Sequence, residues 1–184
     1  MDLTARLGRI SPIEAGTPDE RALVRAAQDG SAEAMEGLYR AHWPRAYRAA
    51  YLVVHDAAGA EDIAQEAFLA AIRALDRFDR RRPFGPWLHR IVVNRAIDWS
   101  RARSLRREVE EDASAAAEPD PPAELPELVR SLATLQPEQR AVIVLRHLLG
   151  YTPGEIADLL DLPRGTVNSR LRRGLDALSK DVER

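Results

Sequence analysis

The chain predicts an all-α protein: two small helical domains joined by a flexible acidic Pro-rich linker, the second containing a helix-turn-helix. Three observations predict this. Apolar residues recur at helical spacing along most of the 184 residues, and no segment alternates as a strand would. Residues 108–126 carry prolines at 119, 121, 122 and 126 among Ala, Glu and Asp, a composition that stays solvated. Residues 150–178 read as two helices joined by a tight turn, the second basic on one side and apolar on the other.

The elements follow in order. Residues 1–17 lack clear periodicity and form a mobile leader. The first domain, 18–107, opens at Thr17-Pro18-Asp19-Glu20, with Thr as N-cap, Pro at the first helical position and Glu in the first turn. Leu23, Val24 and Ala27 give its first helix an apolar stripe, and Gly30 ends it. Ser31 caps a second helix, in which Met35, Leu38, Tyr39, His42, Trp43, Ala46, Ala50 and Val53 recur at helical spacing and Pro44 is a candidate kink. A loop at His55–Gly59 leads to a third helix over 60–76, with Ile63, Ala67, Ala70, Ala71 and Leu75 on one face. Asp79–Pro83 is a basic turn, and a fourth helix runs from Phe84–Trp87 to about Arg107.

The second domain, 127–184, holds helices at 126–134 and 137–149 and then the helix-turn-helix. Thr152-Pro153-Gly154-Glu155 is a capping box with Pro at the first helical position. Asp161-Leu162-Pro163 makes the turn. On the last helix, over 163–178, Val167, Leu171, Leu175 and Leu178 form a core stripe. Arg164, Asn168 and Arg172 lie on the opposite side, flanked by Ser169 and Arg173. Arginine reads guanine edges or holds phosphates, and asparagine pairs bidentately with adenine.

A net charge of −2 hides strong segregation. Residues 77–107 carry ten arginines against Asp79 and Asp98, a net of +8. Residues 108–127 carry eight acids and no base, a net of −8. A whole-chain balance this close to neutral argues against nucleic acid, whereas its local distribution argues for it. In the basic segment Leu88, Ile91, Val92 and Trp99 suit a packed face, while Arg90, Asn94, Arg101 and Arg95 suit DNA. Aromatic rings beside arginines suit unstacked bases. Phe84 and Trp87 also suit a core, and Trp87 and Trp99 taken alone suit it better than a base; the +8 charge tips the segment as a whole toward nucleic acid.

Other classes find little support. Cysteine is absent, which excludes disulfides and cysteine metal sites. His42, His55, His89 and His147 are too dispersed for a local zinc motif, so no metal and no cofactor are expected. There is no nucleophile motif and no glycine-rich phosphate loop, and the chain is read as a non-enzyme. No run of 18 apolar residues and no signal-like N-terminus exist; a cytoplasmic protein without stable membrane association is expected.

Three segments together resemble the small two-domain bacterial RNA polymerase sigma factors of the extracytoplasmic-function (ECF) type, within the sigma-70 superfamily. They are Asp62-Ile-Ala-Gln-Glu-Ala-Phe68-Leu69, then Phe84-Gly-Pro-Trp-Leu-His-Arg-Ile-Val-Val-Asn-Arg-Ala-Ile-Asp98, then Gly150 to Leu178. The resemblance implies a subunit that binds core RNA polymerase, at the clamp helices and flap of its large subunits, and directs promoter-specific initiation. It assigns polymerase binding to Asp62, Gln65, Glu66, Phe68 and Leu69. Reading and melting of the start-proximal (−10) element fall to Phe84, Trp87, Arg90, Asn94, Arg95 and Arg101. Reading of the upstream (−35) element falls to Arg164, Thr166, Asn168, Ser169, Arg172 and Arg173. It also implies an anti-sigma partner. Two positions depart from the family pattern: Val93 and Asn168 stand where many relatives carry a basic residue. The alternatives from other classes are a stand-alone helix-turn-helix regulator that binds operators as a dimer and an adaptor that binds only protein.

Overall fold

The structure, a computed structural model, describes residues 18–109 and 126–182. The leader 1–17 and residues 110–125 of the expected linker lie outside the described residues. Eight α-helices are described: α1 (Pro18–Gln28), α2 (Ala32–Val54), α3 (Ala57–Ala74), α4 (Phe84–Val109), α5 (Pro126–Ala133), α6 (Pro137–Ile143), α7 (Pro153–Leu160) and α8 (Arg164–Val182). No strand occurs among the described residues. The all-α expectation holds.

Local signals place most boundaries. The Ser31 hydroxyl accepts from Ala34 N–H at 3.2 Å and caps α2. Gly30 precedes it at φ +93°, a left-handed geometry that costs a glycine little. α2 runs on through Pro44 to Val54. The expected loop at 55–59 shrinks to His55 and Asp56. His55 closes α2 at φ 55°, and the Asp56 carboxylate accepts from Gly59 N–H at 2.7 Å, so α3 starts at Ala57. Asp56 is the cap that the Ala-Ala-Gly run after it obscured. At the other end α3 tightens into a 3₁₀ turn over Leu75–Arg77.

The helix expected at 137–149 also differs. α6 ends at Ile143, and Val144–Leu148 form a π-turn in which Leu149 N–H reaches Val144 O at 3.1 Å. The widened turn lets Tyr151 N–H bond Leu145 O at 3.0 Å, with Gly150 at φ +79°. Thr152 and Glu155 form the capping box as expected: Thr152 N–H donates to Glu155 Oε2 at 2.7 Å, and Glu155 N–H donates to Thr152 Oγ1 at 3.3 Å.

The core is continuous across both groups of helices. α2 is the hub: Ala46, Ala49, Ala50, Leu52 and Val53 are fully buried. It packs on α1, α3 and α4 and also meets α5 and α6. Ala60, Ala64, Ala67 and Ala71 line the inner side of α3, and such small side chains let the helix backbones approach closely. α4 packs on α2 and α3 and also meets α6 and α7. In the second group Leu132, Val142, Leu145, Ile156 and Val167 close the core between α5, α6, α7 and α8.

Candidate nucleic-acid and polymerase interfaces

α8 has one clean exposed side. Asp161 ends α7 at φ 54°, its N–H bonded to Ala157 O, and Leu162 N–H reaches the same carbonyl at 2.9 Å. Pro163, lacking an N–H, precedes α8, and its carbonyl accepts from Thr166 and Val167. Val167, Leu171, Gly174 and Leu178 face inward, and Leu175 is half-buried rather than a full member of the stripe. Gly174 was not legible as a packing residue. A Cβ there would stand 2.7 Å from Ile143 Cδ1, so the glycine lets α8 lie close against α6 with the Ile143 side chain unmoved.

Arg164, Asn168 and Arg172 are exposed, one turn apart along the helix. No ion pair engages Arg164, Arg172 or Arg173 among the described residues. Thr166 and Ser169 are half-buried. The Ser169 hydroxyl donates to Thr166 O at 2.9 Å and accepts from Arg173 Nη2 at 3.2 Å, so these two candidates are engaged with each other.

α4 is arranged otherwise. Phe84 is 3% exposed and Trp87 half-buried. Both pack with Phe78, whose ring centroid lies 6.0 Å from Phe84 and 4.5 Å from Trp87. The structure therefore corrects the expectation of a presented Phe84 ring: it belongs to the core, drawn in by Phe78 and by His42 at 5.2 Å. Arg90 and Asn94 are exposed. Arg95 is paired with Glu66 Oε2 at 2.5 Å, which joins a strand-reading candidate to a polymerase-binding one. Arg101 bonds Glu138 Oε1 at 2.7 Å from Nε and 2.6 Å from Nη2. Burial opposes ionisation of Glu138, but backbone N–H bonding at the start of α6 and the Arg101 guanidinium outweigh it and hold the carboxyl below its usual range. Arg103 pairs with Asp56 at 2.6 Å and stacks over Trp99, 5.0 Å from its centroid. Ahead of α4, Arg77, Arg80, Arg81 and Arg82 are exposed. Four arginines in six residues were the signal for that loop.

On α3, Asp62, Gln65, Glu66 and Leu69 are exposed. Phe68 is 3% exposed and lies under Tyr39 and Trp43, with ring centroids at 4.9 and 6.0 Å. It supports the surface from below. Tyr39, a member of the apolar pattern of α2, and Ile72 are exposed beside it, and Ile72 lines a hollow with Met35, Leu38, Phe68, Leu75 and Phe84.

Comparison with known proteins follows the same division. Residues 38–106 match the family Sigma-70 region 2, and residues 125–178 match Sigma-70, region 4. The ECF RNA polymerase sigma factor SigW of Bacillus subtilis (strain 168) is 30% identical over 178 residues, covering 86% of this chain and 94% of the relative. The chain belongs to the ECF RNA polymerase sigma factors. This sigma factor is also 32% identical over 157 residues to RNA polymerase sigma factor CarQ of Myxococcus xanthus, covering 82% of this chain and 90% of CarQ. Among solved structures it resembles CnrH in complex with the cytosolic domain of CnrY, with a TM-score of 0.68, 30% identity and coverage of 90% of this chain and 97% of that one. The sigma factor RpoE of Bartonella quintana, in complex with the anti-sigma factor NepR, shares the fold at 23% identity and a TM-score of 0.64, covering 80% of this chain and 96% of that one.

His42 and His89 are buried, and His55 is half-buried. Among the described residues no group of three His, Asp or Glu side chains could hold a metal. Two of these histidines join the helix groups. His55 Nδ1 meets Arg140 Nη1 at 2.9 Å, and His89 Nδ1 meets the Tyr151 hydroxyl at 2.7 Å. Burial, then the Arg140 cation, pushes His55 down to about 3, so its Nδ1 accepts from the guanidinium. Burial, then His42 and Arg45, pushes His89 down to about 3 as well. Burial pushes the Tyr151 phenol up, keeping it neutral. Among the described residues no helix is long and apolar enough to cross a membrane.

Proposed function

We propose that this ECF sigma factor grips a promoter at two points, with residues 18–107 as the start-proximal and polymerase-binding domain, 108–126 as the linker and 127–184 as the upstream-element domain. α8 lies in the duplex major groove, where Arg164, Asn168 and Arg172 meet base edges and Arg173, Thr166 and Ser169 the backbone. α4 handles the melting strand through Arg90 and Asn94, with Arg95 and Arg101 joining once they leave their acids. α3 docks on the polymerase through Asp62, Gln65, Glu66 and Leu69, supported by Phe68. The observation that carries this reading is the uncompensated line Arg164–Asn168–Arg172 on a helix whose opposite side buries Val167, Leu171, Gly174 and Leu178.

Each DNA contact is weak alone, and tethering both on one polymerase makes binding selective. The chemistry belongs to the polymerase, and the protein itself is non-catalytic and works in the bacterial cytoplasm. An anti-sigma partner covers the docking or DNA-reading surfaces. The similar protein CnrH is in complex with the cytosolic domain of CnrY.

Run-off transcription with purified core polymerase and a genomic fragment library tests the proposal. Defined start sites that appear only with this protein are the expected result. Failure both to bind core enzyme and to direct initiation sinks it. Binding to an operator-like site as a dimer without the polymerase would favour the stand-alone regulator. Co-purification from the native cell tests the anti-sigma partner.

A further inference from the structure

α4 begins without a cap of its own. Arg82 and Pro83 precede it, and neither side chain accepts a hydrogen bond from the first turn. The acceptor comes from another helix: Glu20 of α1, 8% exposed, takes the Phe84 N–H at 2.7 Å. A carboxylate at the positive end of a helix is favourably placed. Its other oxygen lies 3.7 Å from His42 Nε2.

Eight residues further along α1, Gln28 holds the other end of the same loop. Its Nε2 donates to Leu75 O at 2.7 Å and to Phe78 O at 3.0 Å, and its Oε1 accepts from Arg80 Nε. Asp29 lies 3.9 Å from Arg80 Nη2. Between these two anchors the chain exposes Arg77, Arg80, Arg81 and Arg82, with Arg81 resting on Asp79 at 2.9 Å. Four guanidiniums in six residues repel one another, so a loop of this composition needs an external hold to keep one conformation. α1 lies ahead of the stretch that matches Sigma-70 region 2.

We infer that α1 is a positioning element for promoter-strand binding: Gln28 and Glu20 fix the Arg77–Arg82 loop as a preset phosphate-gripping contact ahead of α4. The inference rests on the reading of α4 as the strand-handling helix. Gln28 touches no DNA; it acts through the loop.

The test uses the full chain with core polymerase, a probe with the start-proximal strand single-stranded, and a duplex upstream-element probe, both taken from a promoter recovered by run-off transcription. In Gln28→Ala the strand-probe Kd rises roughly five- to tenfold, as expected for losing hydrogen bonds that order the loop. The slope of log Kd against log salt falls by about 1 as a phosphate contact is lost. Core binding and duplex binding stay unchanged. Joint replacement Arg81→Ala and Arg82→Ala, which leaves the Gln28 contacts in place, reproduces both changes.

Equal loss of all three activities with an unchanged salt slope would make α1 merely structural and overturn the inference. An unchanged strand affinity in Gln28→Ala, while Arg90→Ala and Asn94→Ala weaken it, overturns the inference but leaves the α4 reading standing. If Arg90→Ala and Asn94→Ala also change nothing, both fall.

Discussion

α4 and α8 are both basic helices assigned to DNA, yet they present their charge in opposite ways. α8 buries one stripe, Val167, Leu171, Gly174 and Leu178, and leaves Arg164, Arg172 and Arg173 without an ion pair among the described residues. α4 is a core helix first: Leu88, His89, Val92, Val93, Ala96 and Ile97 are all buried. Three of its arginines are spent, Arg95 on Glu66, Arg101 on Glu138 and Arg103 on Asp56. A helix packed on one side has charge to spare for a ligand. A helix enclosed by both groups must exchange internal partners before it can use the same residue type, and each exchange subtracts from the affinity gained.

The docking of the two groups is the first place to test that contrast. His55 and His89 have folded values near 3, depressed from 6.5 mainly by burial. Their protonation favours undocking or unfolding, so stability is full above about pH 6.5 and declines as pH falls toward 3. Each pH unit in that window costs on the order of 1 kcal/mol per histidine. The carboxyls of Glu138 and Asp79 are held below their usual ranges, Asp79 down to about 2 by Arg81, so they start to contribute only in the more acidic part. Thermal melts of wild type between pH 7 and 5 should fall steeply, and His55→Gln should flatten the curve. A flat wild-type curve would show that these histidines are not enclosed.

The two close approaches differ in a measurable way. A Cβ on Gly59 would stand 2.7 Å from Trp99 Cζ2, and one on Gly174 would stand 2.7 Å from Ile143 Cδ1. The indole is rigid, whereas the isoleucine tip can rotate away. Gly59→Ala should therefore lose about 1–3 kcal/mol in chemical denaturation. Gly174→Ala should lose far less, because alanine also favours the helix. Equal losses would mean that α8 is as tightly enclosed as α4.

The DNA measurements should separate the helices further. Arg172→Ala should weaken binding to upstream duplex by about 1–3 kcal/mol if the side chain reads a base. Titration of labelled duplex reads this directly, and an unchanged affinity would mean that the exposed face of α8 is misassigned. The smallest effect is expected for Glu138→Gln, which releases Arg101. Binding of the start-proximal strand should tighten by less than about 1 kcal/mol, since a half-exposed pair contributes little. Weaker binding would show that Glu138 holds α4 in place rather than competing for its arginine.

Much of this molecule was legible in local pattern. Ser31 and the Thr152–Glu155 box announced their helix starts, because a cap is written within four residues of the helix it serves. The outward set on α8 was legible for the same reason: one buried stripe fixes which side faces out. The buried Phe84, the spent arginines of α4 and the Gly174 contact were not legible, since each depends on a partner far along the chain. Trp87 alone read better as core than as a base-stacking ring, and the Phe78 ring that packs on both Phe84 and Trp87 comes from the preceding loop.

The sequence by itself determined the helices, their order, the charge of each segment and, through its resemblance to sigma factors, the family. The tertiary structure decided which of those charges remain available. Whether Arg95 or Arg101 is free depends on Glu66 and Glu138, 29 and 37 residues away, and whether α4 starts where it does depends on Glu20, 64 residues back. Periodicity reports which side of a helix is apolar. It carries no record of what another helix brings to that side, because only folding places such distant groups within hydrogen-bond reach.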